Sequence, residues 1–160
     1  MKLHVVFVVA GVEYALPITF VLQMESFTGA TPVPGSRPYV LGVVTLRGRV
    51  IPVLDLRRRF GLPAVAPTLD TRIIVTQLAG RVVAFCVDRA REVILLDPDQ
   101  LQPAPELVSE RSVGLVSGTY TVGPRLLLLL DLPRISENAH DHEPHALPAD
   151  EDQRRPALPG

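Results

Sequence analysis

The sequence contains no tryptophan, one cysteine and, before residue 137, one histidine. A single cysteine excludes an intramolecular disulfide framework and a zinc site built from paired cysteines. A Ser-His-Asp or Cys-His arrangement would have to use His4, which lies in an apolar N-terminal run. A Walker A loop and a dinucleotide-binding glycine pattern are also missing. The sequence therefore predicts a protein that is not an enzyme, with no catalytic residues, no cofactor and no metal.

Long hydrophobic runs are missing as well, since none approaches the ~20 residues that span a bilayer. Residues 1–12 superficially resemble a signal peptide, but their apolar run is short, Glu13 follows at once, and no small-residue cleavage pattern appears. We favour a first β-strand there over a signal peptide. We accordingly expect a cytoplasmic location and no direct membrane insertion.

Charge is unevenly distributed between two parts of the chain. Residues 137–160 hold six acids and two arginines, a net charge of -4, whereas residues 1–136 hold 14 basic and 11 acidic residues, a net charge of +3. The terminal stretch has few apolar side chains, so it predicts an acidic, Pro/His-containing disordered tail after a domain at 1–136. His140, His142 and His145 are metal-ligand types, but in a flexible tail the ordering entropy favours adventitious capture.

The chain as a whole is rich in turn-forming residues, with 16 prolines and 11 glycines, and this disfavours long helices. Its apolar residues form short, valine-rich runs of strand length, which predict an all-β fold of about ten strands. Single glycines between runs predict tight turns at positions 11, 48, 80 and 123. The runs are 3–10, 14–18, 21–27, 40–46, 50–54, 73–78, 82–87, 93–96, 113–116 and 126–130.

Two segments are echoed later in the chain. Residues 49–56 resemble residues 125–132 at an offset of 76, and residues 11–18 resemble residues 80–87 at an offset of 69. Similar offsets in the same order predict two copies of one β-subdomain, about 1–63 and 71–135. We expect two small barrels that pack on a shared hydrophobic layer, with strands that can exchange between them.

The echoed strands are apolar at every position of 50–54 and 126–130, so both faces of each are expected to be buried. Pro52 cannot donate a ladder hydrogen bond and is expected at a bulge or an edge. Asp55 and Asp131 end these strands at matching places, and Asp55 predicts an N-cap followed by one or two helical turns up to Gly61.

Other candidate sites have simpler structural explanations. Cys86 lies between apolar neighbours and is expected to be a small buried side chain rather than a reactive thiol. Asp88, Asp97 and Asp99 fall at strand ends and turns, where acids are common, so they do not predict a metal site. A nucleic-acid-binding double barrel is the remaining rival, because 15 of the 16 basic residues are arginine. The sequence disfavours it, since the eight Phe and Tyr residues fall mainly within apolar strands.

The order of motifs along the chain closely resembles the CheW family of bacterial chemotaxis proteins over residues 3–135. The resemblance rests on five segments and is most specific in Leu-Arg-Gly…Ile-Pro-Val-Leu-Asp-Leu-Arg. Those segments are Tyr14–Ile18, Pro32–Pro34, Tyr39–Val43, Leu46–Arg57 and Leu128–Asp131, with Val87-Asp88 and Glu92-Val93 between them.

The resemblance implies two five-stranded SH3-like barrels and a non-enzymatic adaptor. Such an adaptor couples the cytoplasmic tips of methyl-accepting chemoreceptors to the regulatory domain of a CheA-type histidine kinase, in membrane-associated arrays and possible rings with other CheW-like domains. Receptor helices are expected in the groove between barrels, and the kinase at the barrel ends. A pilus-motility or other chemosensory-like pathway is the alternative setting.

The resemblance also assigns expected roles to individual residues. Arg47 is the main candidate for receptor or kinase coupling, with Val21 and Val93 as groove residues. The alternative for Arg47 is a turn arginine that hydrogen-bonds carbonyl oxygens and matters only for folding. The remaining motif positions are expected to be structural: Gly42, Gly48, Pro52, Asp55, Asp88 and Asp131.

Overall fold

A computed structural model describes residues 1–104, 114–137 and 139. Ten strands and two single-turn α-helices make up its regular structure, together with short 3-10 turns at Ile18–Phe20 and Pro98–Gln100. The elements are β1 Lys2–Val9, β2 Val12–Pro17, β3 Val21–Ser26, β4 Val40–Leu46, β5 Arg49–Asp55, α1 Leu56–Arg59, β6 Arg72–Leu78, β7 Arg81–Val87, β8 Arg89–Leu96, β9 Val116–Val122, β10 Arg125–Leu130 and α2 Leu132–Ile135.

The strands form two five-stranded sheets, ordered β8-β1-β2-β10-β9 and β3-β6-β7-β5-β4. We call the first the terminal barrel, because it uses both ends of the chain, and the second the central barrel. The predicted all-β fold of two SH3-like barrels is confirmed. The barrels do not coincide with the halves 1–63 and 71–135, since each combines the first hairpin of one repeat with the last three strands of the other. Exchange between repeats ties the two barrels into one unit.

Strand register confirms the internal echo residue by residue. Leu129 pairs with Ala15 in the terminal barrel, and Val53 pairs with Ala84 in the central barrel. These two parallel pairs are related by the offsets of 76 and 69 found in the sequence. β3 and β8 repeat in the same way, because each contains an irregularity at the matching place against its neighbour.

Three apolar cores explain why several strands are buried on both faces. Alternate residues of β1 point to opposite sides, so Phe7 packs between the barrels while Val6 fills the terminal barrel. The same alternation on β7 sends Phe85 to the shared core and Ala84 into the central barrel. This arrangement confirms the predicted shared hydrophobic layer.

An aromatic stack crosses that layer. The rings of Phe7 and Tyr14 lie 5.9 Å apart, and the ring of Tyr14 lies 5.1 Å from that of Phe60, just after α1. Burial raises the pKa of Tyr14 to about 12. Because Phe60 follows α1, which itself follows β5 of the central barrel, the stack fixes α1 against the terminal barrel.

Helices α1 and α2 begin in the same way. The Asp55 carboxylate accepts a hydrogen bond from the Arg57 amide at 3.0 Å, and Asp131 accepts one from the Arg134 amide at 3.0 Å. The predicted N-cap at Asp55 is therefore confirmed, and it is followed by one helical turn with Gly61 in the left-handed region at φ 78°. Asp131 was expected only at the matching strand end, and the structure shows that it caps α2 in the same way.

Some details differ from the sequence-based expectation. Val50 is 67% exposed and Leu126 is 50% exposed, so the echoed strands are not buried on both faces at their first apolar position. Both residues lie beside hairpin turns, where the barrels end. The ninth strand runs over Val116–Val122, whereas the run 113–116 was expected; residue 113 lies outside the described residues. Thr119 and Tyr120 of this strand are buried although the segment is not an apolar run.

Pro52 was expected at a bulge or an edge, and this is wrong. Its strand β5 lies inside the sheet between β4 and β7, and the bulge falls on β4 between Val40 and Gly42. The parallel ladder from β5 to β7 begins one residue later, at Val53, so the missing N–H of Pro52 leaves that ladder intact.

The domain extends past the predicted boundary at residue 136. Ala139 is buried in the shared core, so the proposed tail 137–160 begins too early. The rest of that tail lies outside the described residues. No helix within the described ranges is long and apolar enough to cross a membrane.

Candidate docking surfaces

Arg47 is the first residue of the two-residue turn that joins β4 to β5. Its φ is 49° and that of Gly48 is 78°, which defines the type I′ geometry that suits a twisted hairpin. The side chain is exposed, and it makes no hydrogen bond or ion pair with any described residue. The role as a carbonyl-bonding turn arginine therefore has no support among the described residues.

Gly42 allows a close backbone crossing behind this hairpin. Its φ is 148°, and a Cβ at this position would overlap the Thr31 carbonyl and lie 2.9 Å from the Pro32 nitrogen. Thr31 and Val43 exchange hydrogen bonds of 2.8 and 2.9 Å at the crossing. Only glycine lets the two segments approach this closely.

Asp88 connects the two barrels at the point where the chain passes from β7 to β8. Its carboxylate accepts bonds of 3.0 and 2.7 Å from the Arg57 guanidinium and one of 2.7 Å from the Ala10 amide. Burial would raise the pKa of Asp88, but the hydrogen bonds from Arg57 and Ala10 outweigh it and lower that pKa. The predicted motif residue thus has a structural role in holding α1, the first hairpin and the β7–β8 junction together.

Asp55 and Cys86 lie in the same small cavity as Arg57 and Asp88, with a volume of about 120 Å³. Burial raises the pKa of Asp55, with the capping amides and neighbouring arginines acting in the opposite direction. Burial, followed by the charges of Asp55 and Asp88, raises the pKa of the Cys86 thiol to about 12. Cys86 is therefore a protonated thiol at neutral pH, which agrees with a structural side chain.

An ion-pair network covers the hairpin end of the terminal barrel. Arg125 bonds Glu13 with its Nε and Nη2 at 2.9 and 3.1 Å, and its Nη2 lies 3.2 Å from Glu92. Arg91 reaches Glu13 at 3.0 Å. Hydrogen bonding to Arg125 lowers the pKa values of Glu13 and Glu92. Within this network two arginines balance two glutamates.

The corresponding end of the central barrel lacks this balance. The repeat offsets place Val82 at the position of Glu13, Gln23 at that of Glu92, and Arg49 at that of Arg125. Arg49 is exposed and makes no hydrogen bond or ion pair with a described residue. We call the end formed by Arg47, Arg49, Val50 and Arg81 the hairpin face.

The hairpin face is one continuous end of the barrel because β5 and β7 run parallel and side by side. β5 starts at Arg49 and β7 at Arg81, so the β4–β5 and β6–β7 turns lie at the same end of the sheet. Arg81 is also exposed and without an ion pair among the described residues. Sequence reasoning missed Arg49 and Arg81. For Arg49 the repeat offsets could have shown that Val82 and Gln23 stand where the glutamates paired with Arg125 lie in the other barrel.

The outer strands β3 and β8 carry exposed apolar side chains. Val93 on β8 is 44% exposed, and the symmetry-related Met24 on β3 is 42% exposed. Val21 is half-buried at the margin of the shared core. Of the three candidates, Arg47 and Val21 belong to the central barrel, in the β4–β5 turn and at the start of β3, whereas Val93 lies on β8 of the terminal barrel. Further exposed apolar residues on the same strands are Leu22 and Leu95.

An open cavity of about 840 Å³ lies where β3 and β4, the two outer strands of the central barrel, approach each other. Glu25, Phe27 and Leu46 contribute to its lining, and Val50 connects it to the hairpin face. Because it is open and mixed in polarity, it is a surface groove rather than an enclosed small-molecule pocket.

The side chains that could support catalysis or bind a metal are few and dispersed among the described residues. They contain no group of three or more His, Cys, Asp or Glu side chains that could hold a metal ion. His4 is buried, its Nδ1 lies 3.0 Å from the Lys2 carbonyl oxygen, and burial lowers its pKa. It contacts the edge of the Tyr120 ring with centroids 5.6 Å apart, which is a packing role.

These features define a double SH3-like barrel whose exposed apolar and cationic groups lie on outer surfaces. A family model described as "CheW-like domain" matches residues 3–140. The chain belongs to the CheW family of chemotaxis scaffold proteins.

Named relatives agree with this assignment. "Chemotaxis protein CheW" of Bacillus subtilis (strain 168) is 39% identical over 127 residues, covering 79% of this chain and 81% of the relative. The protein of the same name from Rhizobium meliloti (strain 1021) is 33% identical over 131 residues, covering 82% and 84%. The crystal structure of the scaffolding protein TtCheW from Thermoanaerobacter tengcongensis has a TM-score of 0.78 and 30% identity, and the match covers 85% of this chain and 92% of that one.

Proposed function

We propose that this protein is a non-enzymatic adaptor that couples the cytoplasmic tips of transmembrane chemoreceptors to the regulatory domain of a CheA-type histidine kinase. Family membership supports the class of function. The observation that carries the proposal to particular residues is Arg47, an exposed guanidinium with no partner among the described residues. An adaptor of this kind works at the cytoplasmic face of a receptor array.

The proposed surfaces have the chemistry of protein interfaces. Arginine is enriched at interface hot spots because its planar fork binds carboxylates and carbonyls with fixed geometry. The exposed apolar residues of β3 and β8, including Val93, fit a helix laid along a groove, for which i, i+3 and i+4 side chains supply the contacts. Val21 at the margin of the shared core is a secondary candidate. None of these contacts requires a reactive group.

Substitution of Arg47 by alanine tests the proposal. Because the Arg47 side chain is exposed and unbonded among the described residues, Arg47→Ala should change the free energy of unfolding by less than about 0.5 kcal/mol. Loss of an interface arginine should weaken binding to a receptor-tip or kinase-regulatory fragment by about 5- to 30-fold, equivalent to roughly 1–2 kcal/mol. The measurement is a calorimetric titration of purified chain with each fragment.

Lys2→Ala is the matched control, because Lys2 is an exposed cation at the start of β1, in the other barrel. Its binding should equal that of the unmodified chain. Equal binding by Arg47→Ala and the unmodified chain would remove Arg47 from the interface, and earlier unfolding of Arg47→Ala would assign it a folding role. Binding of the unmodified chain to neither fragment would overturn the proposed function. Receptor fragments from a swimming and a pilus-motility pathway, used in parallel, identify the pathway.

A further inference from the structure

The groove between the two outer strands of the central barrel has no role in the proposed coupling. β3 and β4 lie at opposite ends of the sheet, and they meet at a bridge where Thr31, which follows β3, exchanges hydrogen bonds with Val43 of β4. Beyond this bridge the groove of about 840 Å³ opens between residues 25–31 on one side and residues 43–46 on the other. The two strand edges are therefore separated where the groove lies.

Both sides of the groove carry backbone groups that point into it. Val43 bonds outwards to the chain after β3, and since backbone direction alternates along a strand, Thr45 points its N–H and C=O the same way. On the other side Phe27 donates to the Thr71 carbonyl at 3.2 Å, so the neighbouring Ser26 points away from β6. Thr45 and Ser26 are exposed, line the groove and make no outward backbone bond with a described residue. Such edges are satisfied by an added polypeptide strand.

The groove has an apolar floor, where the terminal barrel has aromatic side chains instead. Phe27, Val44 and Ile73 are among the residues that line it. The repeat offsets place Tyr120 at the position of Val44 and His4 at that of Ile73. In the terminal barrel these two rings are buried and pack edge to face, with centroids 5.6 Å apart. Because Val44 is much smaller than Tyr120, apolar side chains of a bound strand can enter the central barrel here.

The charge at one end of the groove determines which residue a bound strand should carry there. Leu46, which lines the groove, pairs directly with Arg49. Arg49 makes no ion pair with a described residue, whereas Arg125 at the equivalent position is bonded to carboxylates. Glu25, on the β3 side, already accepts a bond from Gln23 at 2.6 Å. Because the bridge to β4 is antiparallel, a strand that continues it has its N-terminal end beside Arg49, where a carboxylate is complementary.

We propose that the groove between β3 and β4 binds an extended segment of a partner protein, which adds as an antiparallel strand along β4. The segment has apolar side chains at alternate positions, which enter the groove, and an acidic residue at its N-terminal end beside Arg49. Thr45, with Ser26 across the groove, supplies the main-chain bonds, and the apolar floor and Arg49 supply sequence preference. The site uses none of the residues assigned to receptor or kinase coupling, so it does not rest on the proposed function.

The test titrates the isotope-labelled full chain with the blocked synthetic peptide acetyl-Glu-Val-Thr-Val-Thr-Val-amide and follows amide NMR shifts at low ionic strength. We expect saturable shifts at residues 25–31 and 43–46. The same peptide with lysine in place of glutamate should bind at least about 2-fold more weakly. Arg49→Gln, which leaves the backbone unchanged, should remove this preference.

Thr45→Pro tests the main-chain bonds. It removes an N–H that points away from β5, so the hairpin keeps its ladder, and binding should weaken at least about 3-fold, as for the loss of one backbone hydrogen bond. Thr121→Pro is the matched control, because Thr119 bonds outwards to Gln102 and Thr121 is the equivalent outward position on β9. It should bind the peptide as the unmodified chain does. Thermal melting checks that both variants fold, and if Thr45→Pro does not, Arg49→Gln decides.

Each result supports or overturns the proposal. Absence of saturable shifts up to about 1 mM peptide would overturn it, because several backbone bonds over an apolar floor should bind more tightly. Shifts confined to other strand edges, such as residues 119–122, would also overturn it, as would equal binding by Thr45→Pro and the unmodified chain. Shifts at the same residues that depend on protein concentration without peptide would assign the groove to a second copy. Since no receptor or kinase fragment is present, a negative result leaves the proposed function unaffected.

Discussion

Replacing Gly42 by alanine should destabilise the central barrel far more than a single methyl group usually does. Gly42 has a φ of 148°, where L-residues are strained, and the added Cβ would overlap the Thr31 carbonyl. Backbone strain of this kind costs about 1–3 kcal/mol. Forcing atoms into a packed site costs about 1–3 kcal/mol more. The expected loss is about 2–6 kcal/mol, a large share of a typical folding free energy of about 5–15 kcal/mol.

Gly29→Ala separates the two contributions. Gly29 also has a positive φ, 123°, but nothing lies within 4 Å of a Cβ placed there. It should therefore lose only the strain contribution, so the Gly42 variant should be less stable than the Gly29 variant by about 1–3 kcal/mol. Urea unfolding measures both, and each kcal/mol should lower the melting temperature by about 2–4 °C. Equal losses in the two variants would refute the argument from the Thr31 crossing.

Two further predictions concern ionisable groups. A double-mutant cycle of Arg57→Ala and Asp88→Asn should give a coupling energy of about 1–2 kcal/mol. Arg58 and Asp55 should give almost none, because their atoms are 3.7 Å apart and the Arg58 side chain is 45% exposed; equal couplings would contradict the assigned role of Asp88. His4 should make stability fall as the pH drops below 6.5, its unperturbed pKa, because burial lowers the folded pKa and the unfolded chain takes up the proton first. His4→Phe should remove this component in urea unfolding across that range, and an unchanged pH profile would show that His4 is not its source.

Much of the fold was predictable because the repeat left a readable trace in the sequence. Hydrophobic period and turn glycines gave the strand count, and the offsets of 69 and 76 relate strands that occupy equivalent places in the two barrels. Asp55 and Asp131 could be assigned as matching strand ends because a strand followed by Asp and a short basic turn is a local signal. Local signals of this kind do not depend on which strand lies next to which.

The exchange of strands could not be resolved from the sequence for the same reason. β5 pairs in parallel with β7, and β2 pairs in parallel with β10. These pairings depend on how the strands pack on the shared layer, and the sequence of a single strand does not reveal its neighbour. β9 was misplaced because its consecutive buried residues, Gly118, Thr119 and Tyr120, include a glycine and a polar side chain and so do not form an apolar run in the sequence. The end of the domain was set too early because Ala139, buried in the shared core, stands among polar residues in the sequence.

The functional residues of the hairpin face were likewise hard to identify from the sequence. Arg47 was found through a family motif, but Arg49 and Arg81 become meaningful only when parallel strands place their starts at one end of the central barrel. Their importance also depends on a comparison between barrels, because Arg125 at the equivalent position is neutralised by Glu13. Sequence position alone does not show whether an arginine has a partner.

The most direct test of the account is whether this protein joins its two proposed partners into one complex. A receptor-tip fragment is immobilised, the kinase regulatory domain is passed over it, and retention of the kinase domain is measured with and without the chain. The account predicts retention only when the chain is present, and clearly reduced retention with Arg47→Ala but not with Lys2→Ala. Absence of retention, or equal retention without the chain, would contradict the role as an adaptor.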